Sequence, residues 1–162
     1  MIRLATLDDL DSILMIIKQA QTRMKQQGLT QWQNDYPSRE IIEKDIKASH
    51  VFVYEDKKIL ATMSVFDYDI VYDYIIGKWL NDRPYRVIHR IAISNEAVGM
   101  NITDKLYAFI LKHFKVNDIR IDTHENNLPM IRSLERNHFK YVGIVHVLTD
   151  KDSKRLAYHL AL

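Results

Sequence analysis

The stretch YRVIHRIAISNEAVGMNITDKLYAFIL, residues 85–111, contains the clearest strand and helix patterns of the sequence. Its first part, Tyr85–Ile93, is rich in β-branched and apolar residues and predicts a strand. Apolar residues then return at helical spacing and predict an amphipathic helix; they are Ile102, Leu106, Phe109, Ile110 and Phe114. This part of the chain therefore predicts a strand, a short loop and a helix, in that order.

The segments on either side predict a mixed order of strands and helices. Before the stretch we expect a strand, two helices, two strands and an irregular segment, at residues 2–4, 7–27, 37–47, 51–54, 59–65 and 67–84. After it we expect a strand, a helix and two strands, at residues 119–122, 127–137, 139–147 and 155–162. Because this order is neither a regular βαβ alternation nor all-β, it favours a mixed sheet with helices on both faces.

The composition excludes several classes of protein. A length of 162 residues fits one domain over residues 1–162. The absence of cysteine excludes disulfides, thiolate zinc sites and a cysteine nucleophile. The histidines lack close ligand spacing, so we expect no metal, and a net charge of +2 argues against a nucleic-acid partner. The acidic start MIRLATLDDLD is unlike a signal peptide and the apolar runs are short, so we expect a cytoplasmic protein with no membrane contact.

Residues 85–111 resemble motif A of the GCN5-related N-acetyltransferase (GNAT) family, in which a strand ends in an Arg/Gln-x-x-Gly-x-Gly/Ala loop that opens a helix. The resemblance implies that backbone N–H groups and the positive dipole end at the helix start hold the pyrophosphate of acetyl-coenzyme A (acetyl-CoA). It also implies that the strand backbone pairs with the pantetheine arm. The residues that it assigns to the coenzyme are Ile91, Ala92 and Ile93 on the strand, and Val98, Gly99, Met100, Asn101, Ile102 and Thr103 in the loop and helix start.

The loop departs from the family pattern at three positions. Val98 stands in the place of the leading Arg/Gln, Asn101 in that of the first Gly and Thr103 in that of the Gly/Ala. Asparagine still adopts positive φ, so Asn101 can keep the turn. A cation at position 98 would add a charge-assisted hydrogen bond worth roughly 1.5–3 kcal/mol where it forms. A second hypothesis is therefore a non-catalytic module of the same fold that binds a ligand or a protein through a relaxed loop.

Residues 122–145, DTHENNLPMIRSLERNHFKYVGIV, resemble the family's motif B. The resemblance implies that Asn127 contacts the pantetheine, and Arg132 is a candidate for the coenzyme phosphates. Leu134 occupies the position at which many members carry a tyrosine that protonates the departing thiolate. That proton donor is therefore missing from this sequence.

Residues 31–46 and 77–93 resemble a bacterial subgroup of uncharacterised acetyltransferases, so the resemblance covers essentially the whole chain. It implies an α/β (α+β) fold, a mostly antiparallel, twisted mixed sheet of about six to seven strands with about four helices on both faces. Three aromatic residues in predicted loops would either line the acceptor pocket or fill the core; they are Trp32, Tyr36 and Trp79.

The family's activity needs a base, and His89 is the first candidate. His89 and Arg90 alternate on the predicted strand, so one of them can face the acceptor. The alternative is a core histidine with Arg90 in a structural ion pair. His124 is a second candidate base or acceptor contact, and the alternative is a turn residue beside the helix cap at Asn127. We expect transfer to a primary amine of a small molecule or peptide, and the terminal strands could pair two copies as a homodimer.

Overall fold

The structure, a computed structural model that describes residues 1–162, has the expected mixed α/β order. Its eight strands are β1 (Ile2–Leu4), β2 (Val51–Asp56), β3 (Lys58–Phe66), β4 (Ile76–Gly77), β5 (Tyr85–Ile93), β6 (Asp118–Thr123), β7 (Lys140–His146) and β8 (Lys154–Ala161). Its four helices are α1 (Leu10–Gln26), α2 (Arg39–Lys47), α3 (Ile102–Phe114) and α4 (Leu128–Arg136). No helix is long and apolar enough to cross a membrane.

The strands form one open sheet in the order β1-β2-β3-β5-β6-β8-β7-β4. The pairing of β5 with β6 is parallel, from Tyr85 opposite Asp118 to Val87 opposite Arg120. The pairs β1–β2, β2–β3, β6–β8, β7–β8 and β4–β7 are antiparallel, which confirms the mostly antiparallel sheet. The sheet has one strand more than expected because β4, with two residues, is too short to show a sequence period.

The chain forms two compact units, of which the first comprises residues 1–65 and 89–102. In this unit α1 begins after Asp8 and Asp9, whose charges suit a helix start, and Gly28 with a φ of 76° follows its end. Its core contains Leu10, Ile13, Ile16, Ile17, Ala20, Trp32, Ile42, Ile46, Val51, Val53 and Ala92. The apolar faces of α1 and α2 are thus buried against β2 and the end of β5.

The second unit comprises residues 66–88 and 103–162. The segment between β3 and β5, predicted as irregular, contains a short 3-10 helix at Ile70–Tyr74 and the strand β4. It packs on the sheet through a cluster of Tyr72, Val87, Val145 and Ala157, with Phe66, Val71, Ile75, Trp79, Tyr85 and Val142 around them. The prediction of one domain over residues 1–162 stays a prediction.

Candidate functional site

The start of α3 has the backbone that the loop sequence predicts. Gly99 has a φ of 86° and Asn101 a φ of 53°, so the left-handed conformation expected of Asn101 is confirmed. Ile102, the first residue of the helix, is buried. The first four N–H groups of an α-helix have no intrahelical acceptor, and the helix dipole adds positive potential there. The α3 start is therefore suited to an anion such as a pyrophosphate.

The side chains around this start differ in what they offer. Val98 and Met100 are 55% and 53% exposed, so the loop presents apolar side chains where the family pattern has a cation. The Thr103 hydroxyl lies 2.7 Å from the Ser133 hydroxyl on α4 and is engaged there. Arg136 donates to Asp104 over 2.7 Å, and this hydrogen bond lowers the pKa of that carboxyl. The positive charge of Arg136 offsets the negative charge of Asp104 in the first turn.

Two buried hydroxyl groups mark the ends of β5 and β6. Ser94 follows β5, Thr123 ends β6, and their side-chain oxygens are buried without a hydrogen-bond partner in the structure. Buried polar atoms in proteins nearly always have a partner. Each hydroxyl is therefore available, at its own strand end, for a hydrogen bond with a polar ligand.

A positive φ interrupts β5 in the middle of the strand. Arg90 has a φ of 55°, which is typical of a β-bulge. Burial along the strand consequently comes in pairs: Val87 and Ile88 are buried, whereas His89 and Arg90 are both half-buried. The simple alternation expected for His89 and Arg90 therefore does not hold at this point.

Arg90 forms a structural ion pair, which is one of the two roles that the sequence suggested for it. Its Nη1 lies 3.0 Å from Oδ2 of Asp45 on α2, and the Ser64 hydroxyl donates to the same carboxylate over 3.2 Å. The guanidinium also lies 5.8 Å from the ring centre of Tyr36. Asp45 is buried, so this pair fixes the bulge in the first unit, and a substrate contact of Arg90 stays a prediction.

Both ring nitrogens of His124 are engaged. The backbone N–H of Asn126 donates to Nδ1 over 3.1 Å, so Nδ1 carries no proton. Nε2 therefore carries the proton and donates to Asp152 over 2.6 Å. His124 is 4% exposed and has no lone pair to offer a substrate in this arrangement, which supports its interpretation as a turn residue.

The residues of motif B lie on the turn after β6 and on α4. The Asn127 side chain caps α4 by accepting from the N–H of Met130 over 3.4 Å, and Pro129 stands in the first turn. Leu134 is fully buried, so this position offers no proton donor, as the sequence predicts. Arg132 is half-buried on α4, and the coenzyme contacts of Arg132 and Asn127 stay predictions.

Trp32 lies in the core of the first unit, and Trp79 packs, half-buried, against the core of the second, which favours the core interpretation. Trp32 is 9% exposed within the core of the first unit, and Tyr36 packs beside it. In the second unit the Trp79 indole N–H donates to the Tyr72 carbonyl over 2.9 Å, and the Arg120 guanidinium lies 4.6 Å from its ring centre. Contacts of these aromatic residues with an acceptor stay predictions.

Sequence reasoning missed the partners that fix these residues. They are Asp45 for Arg90, Asp152 for His124, Ser133 for Thr103, and Gln19 and Arg23 for the end of β5. Tyr72, whose pKa burial raises well above its usual value, also donates to Asp122 over 2.6 Å. No local sequence pattern indicates such pairs.

The structure contains no group of three or more His, Cys, Asp or Glu residues that could hold a metal ion.

Solved structures share this fold, whereas no protein-family model and no curated protein matches the chain. A GNAT-family acetyltransferase from Streptococcus agalactiae 2603 is 35% identical over 100% of this chain and 95% of its own, with a TM-score of 0.91. A structure from Staphylococcus aureus Mu50, described as an acetyltransferase, is 28% identical over 99% of this chain and 98% of its own, with a TM-score of 0.72. A GNAT-family acetyltransferase from Listeria monocytogenes 4b F2365 shares the fold at 21% identity, over 100% of this chain and 94% of its own, with a TM-score of 0.73. On the full-length match to the first of these, the chain belongs to the GNAT family of acetyltransferases.

Proposed function

We propose that this protein transfers an acetyl group from acetyl-CoA to a primary amine of a small molecule or peptide. The observation that carries the proposal is the α3 start, where Gly99 and Asn101 hold the left-handed conformations that turn the loop into the helix. The helix that begins after this turn has N–H groups without intrahelical acceptors, which suits the pyrophosphate of the coenzyme. Backbone binding of this kind does not need the side chains that the loop lacks.

In the proposed reaction the neutral amine attacks the thioester carbonyl directly. The C–N bond forms, the C–S bond breaks, and the nitrogen releases one proton to solvent as the amide forms. The coenzyme leaves as a thiolate that takes a proton from solvent, because Leu134 offers none. A backbone N–H of β5 around Ile91–Ile93 would stabilise the charge that develops on the carbonyl oxygen. Most of the rate enhancement would come from holding amine and thioester together.

His89 is the base that we propose for removing the proton of the acceptor ammonium. Its rival His124 is held in a turn, with hydrogen bonds at both ring nitrogens. A histidine side chain is the group that most often serves as a general base in enzymes. His89 lies on β5 and is half-buried beside the bulge at Arg90.

A second candidate function is a non-catalytic module that keeps the fold and binds another ligand or a protein. Three observations favour it. The Thr103 hydroxyl is engaged by Ser133, so it is not directed to a phosphate, and the family's proton donor is replaced by the buried Leu134. The exposed Val98 also leaves the loop without a cation.

Calorimetric titration with acetyl-CoA, followed by a thiol-release assay against a panel of amines and peptides, tests the proposal. Micromolar binding and release of free thiol with at least one amine would support it. A His89→Gln variant should then bind acetyl-CoA as the unaltered protein does while losing turnover at neutral pH. No binding at millimolar acetyl-CoA would overturn the proposal and favour the non-catalytic module.

A further inference from the structure

Two side chains of α1 hold the backbone at the end of β5. Gln19 and Arg23 lie one helical turn apart and therefore share a face of the helix. Arg23 donates from Nη2 to the carbonyl of Ile93 over 2.6 Å and from Nη1 to the side-chain oxygen of Asn95. The N–H of Asn95 donates to the Gln19 side-chain oxygen over 2.8 Å. One face of α1 thus makes three hydrogen bonds to the segment that leads into the loop before α3.

The segment also has an exposed ion pair and backbone hydrogen bonds, including those from the N–H of Ala97 to Ser94 and from that of Met100 to Ala97. Lys58 pairs with Glu96 over 2.5 Å, but both side chains are mostly exposed, and exposed ion pairs contribute little. The N–H of Ser94 donates to the carbonyl of Leu60 over 2.8 Å, which ties it to β3. Arg23 is half-buried, and hydrogen bonds from a partly desolvated guanidinium are about twice as strong as neutral ones.

The loop that follows has no charged side chain with which to hold an anion. Residues 98–101 are Val, Gly, Met and Asn, so a bound pyrophosphate would depend on backbone N–H groups. Backbone donors bind well only where their positions are fixed before the ligand arrives. The rigidity of this loop therefore matters more here than in a loop that carries its own cation.

We infer that Arg23, assisted by Gln19, is a positioning residue for the coenzyme loop, which it fixes through the backbone of Ile93 and Asn95. The inference rests on the proposed binding of acetyl-CoA. The loop has no cation of its own at Val98. A cation on α1, Arg23, instead holds the strand end from which the loop begins. Arg23 itself need not touch the coenzyme.

The test compares Arg23→Met with Lys25→Met by calorimetric titration with acetyl-CoA. Both variants remove one positive charge from the last turns of α1, but Lys25 is exposed on the helix surface. We expect the dissociation constant to rise about tenfold or more in Arg23→Met and less than about twofold in Lys25→Met. Arg23→Lys, which keeps the charge but not the forked pair of donors, should give an intermediate loss.

Gln19→Leu provides a second variant that leaves the charge in place. It should weaken acetyl-CoA binding severalfold, with an unfolding temperature of the free protein close to that of the unaltered chain. Equal losses in Arg23→Met and Lys25→Met, with full binding in Arg23→Lys, would show a general charge effect and overturn the inference. Unchanged binding in both Arg23→Met and Gln19→Leu would also overturn it. Failure of the unaltered protein to bind acetyl-CoA would instead contradict the proposed function.

Discussion

The helices that follow β5 and β6 begin in different ways. Before α3 the backbone is left-handed at Gly99 and Asn101, and the neighbouring Val98 and Met100 are exposed. Before α4 His124 and Asn127 are buried, and the Asn127 side chain accepts from the N–H of Met130. One helix start is surrounded by exposed loop residues, whereas the other is capped by the protein's own side chain.

This difference shows how one physical feature serves two purposes. Every helix start has N–H groups without intrahelical acceptors. At α4 the Asn127 cap uses this feature, and the His124–Asp152 hydrogen bond fixes the turn before it. At α3 the side chains of the first turn bond to α4 instead, since Thr103 contacts Ser133 and Asp104 contacts Arg136. We therefore expect coenzyme affinity to respond to changes before α3, and stability to changes before α4.

Val98→Arg should produce the largest change, because it restores the cation at the α3 start. A charge-assisted hydrogen bond of about 1.5–3 kcal/mol would tighten acetyl-CoA binding by about tenfold or more. Calorimetry at low and high salt measures this, and the added affinity should shrink at high salt. Val98→Gln, without the charge, is the matched control. No change in affinity would show that the loop does not place position 98 near the coenzyme.

Asp152→Ala should destabilise the turn before α4. It leaves the buried Nε2–H of His124 without its acceptor, and an unsatisfied buried group costs about 1–3 kcal/mol. Chemical denaturation measures the loss. Asp152→Asn keeps an acceptor oxygen and should retain most of the stability. An equal loss in both variants would mean that the charge of Asp152, and not its hydrogen bond, is what matters.

Asn127→Ala removes the cap of α4 and should lower the free energy of unfolding by about 1 kcal/mol. Asn127→Ser keeps a side-chain oxygen that can cap and should recover most of the loss. If Asn127 also contacts the pantetheine, Asn127→Ser should still bind acetyl-CoA more weakly than the unaltered protein. Full binding by Asn127→Ser would contradict that predicted contact.

Asn101→Gly tests the left-handed turn with a smaller effect. Glycine adopts the φ of 53° without strain, so stability should stay the same or rise by a few tenths of a kcal/mol. Asn101→Ala should lose about 1 kcal/mol, because other residues pay more for the left-handed conformation. Thermal unfolding measures both. A loss of stability in Asn101→Gly would show that the asparagine side chain, and not its backbone, holds the turn.

The smallest effect is a dependence on pH at the first turn of α3. The hydrogen bond from Arg136 lowers the pKa of Asp104 below its usual 3.8, so the unfolded chain binds the proton more readily. The stability that this pair contributes is present above about pH 4 and is lost as the pH falls through the lowered pKa. Denaturation between about pH 5 and pH 2 should show a shallower slope in Arg136→Met than in the unaltered protein. An identical slope would show that the exposed pair is screened by solvent.

Local patterns in the sequence predicted most of the elements and part of the site. The strand and helix periods gave the element order, the loop sequence gave the left-handed Asn101, and residues 127–130 gave the cap of α4. The sequence contained no sign of the bulge at Arg90, because an Arg in a strand carries no signal of positive φ. It also gave no sign of β4, which forms only because β7 supplies a pairing edge.

Local patterns are enough to predict the fold class and the position of the helix start suited to an anion, because hydrophobic periods and turn residues act over a few neighbouring positions. Which polar groups are already engaged depends on contacts between distant parts of the chain. Asp152, 28 residues beyond His124, fixes the proton on Nε2 and removes that residue as a base. Arg23, 70 residues before Ile93, fixes the strand end that leads to the loop. Such pairs form between residues far apart in the sequence, so a local pattern does not predict them.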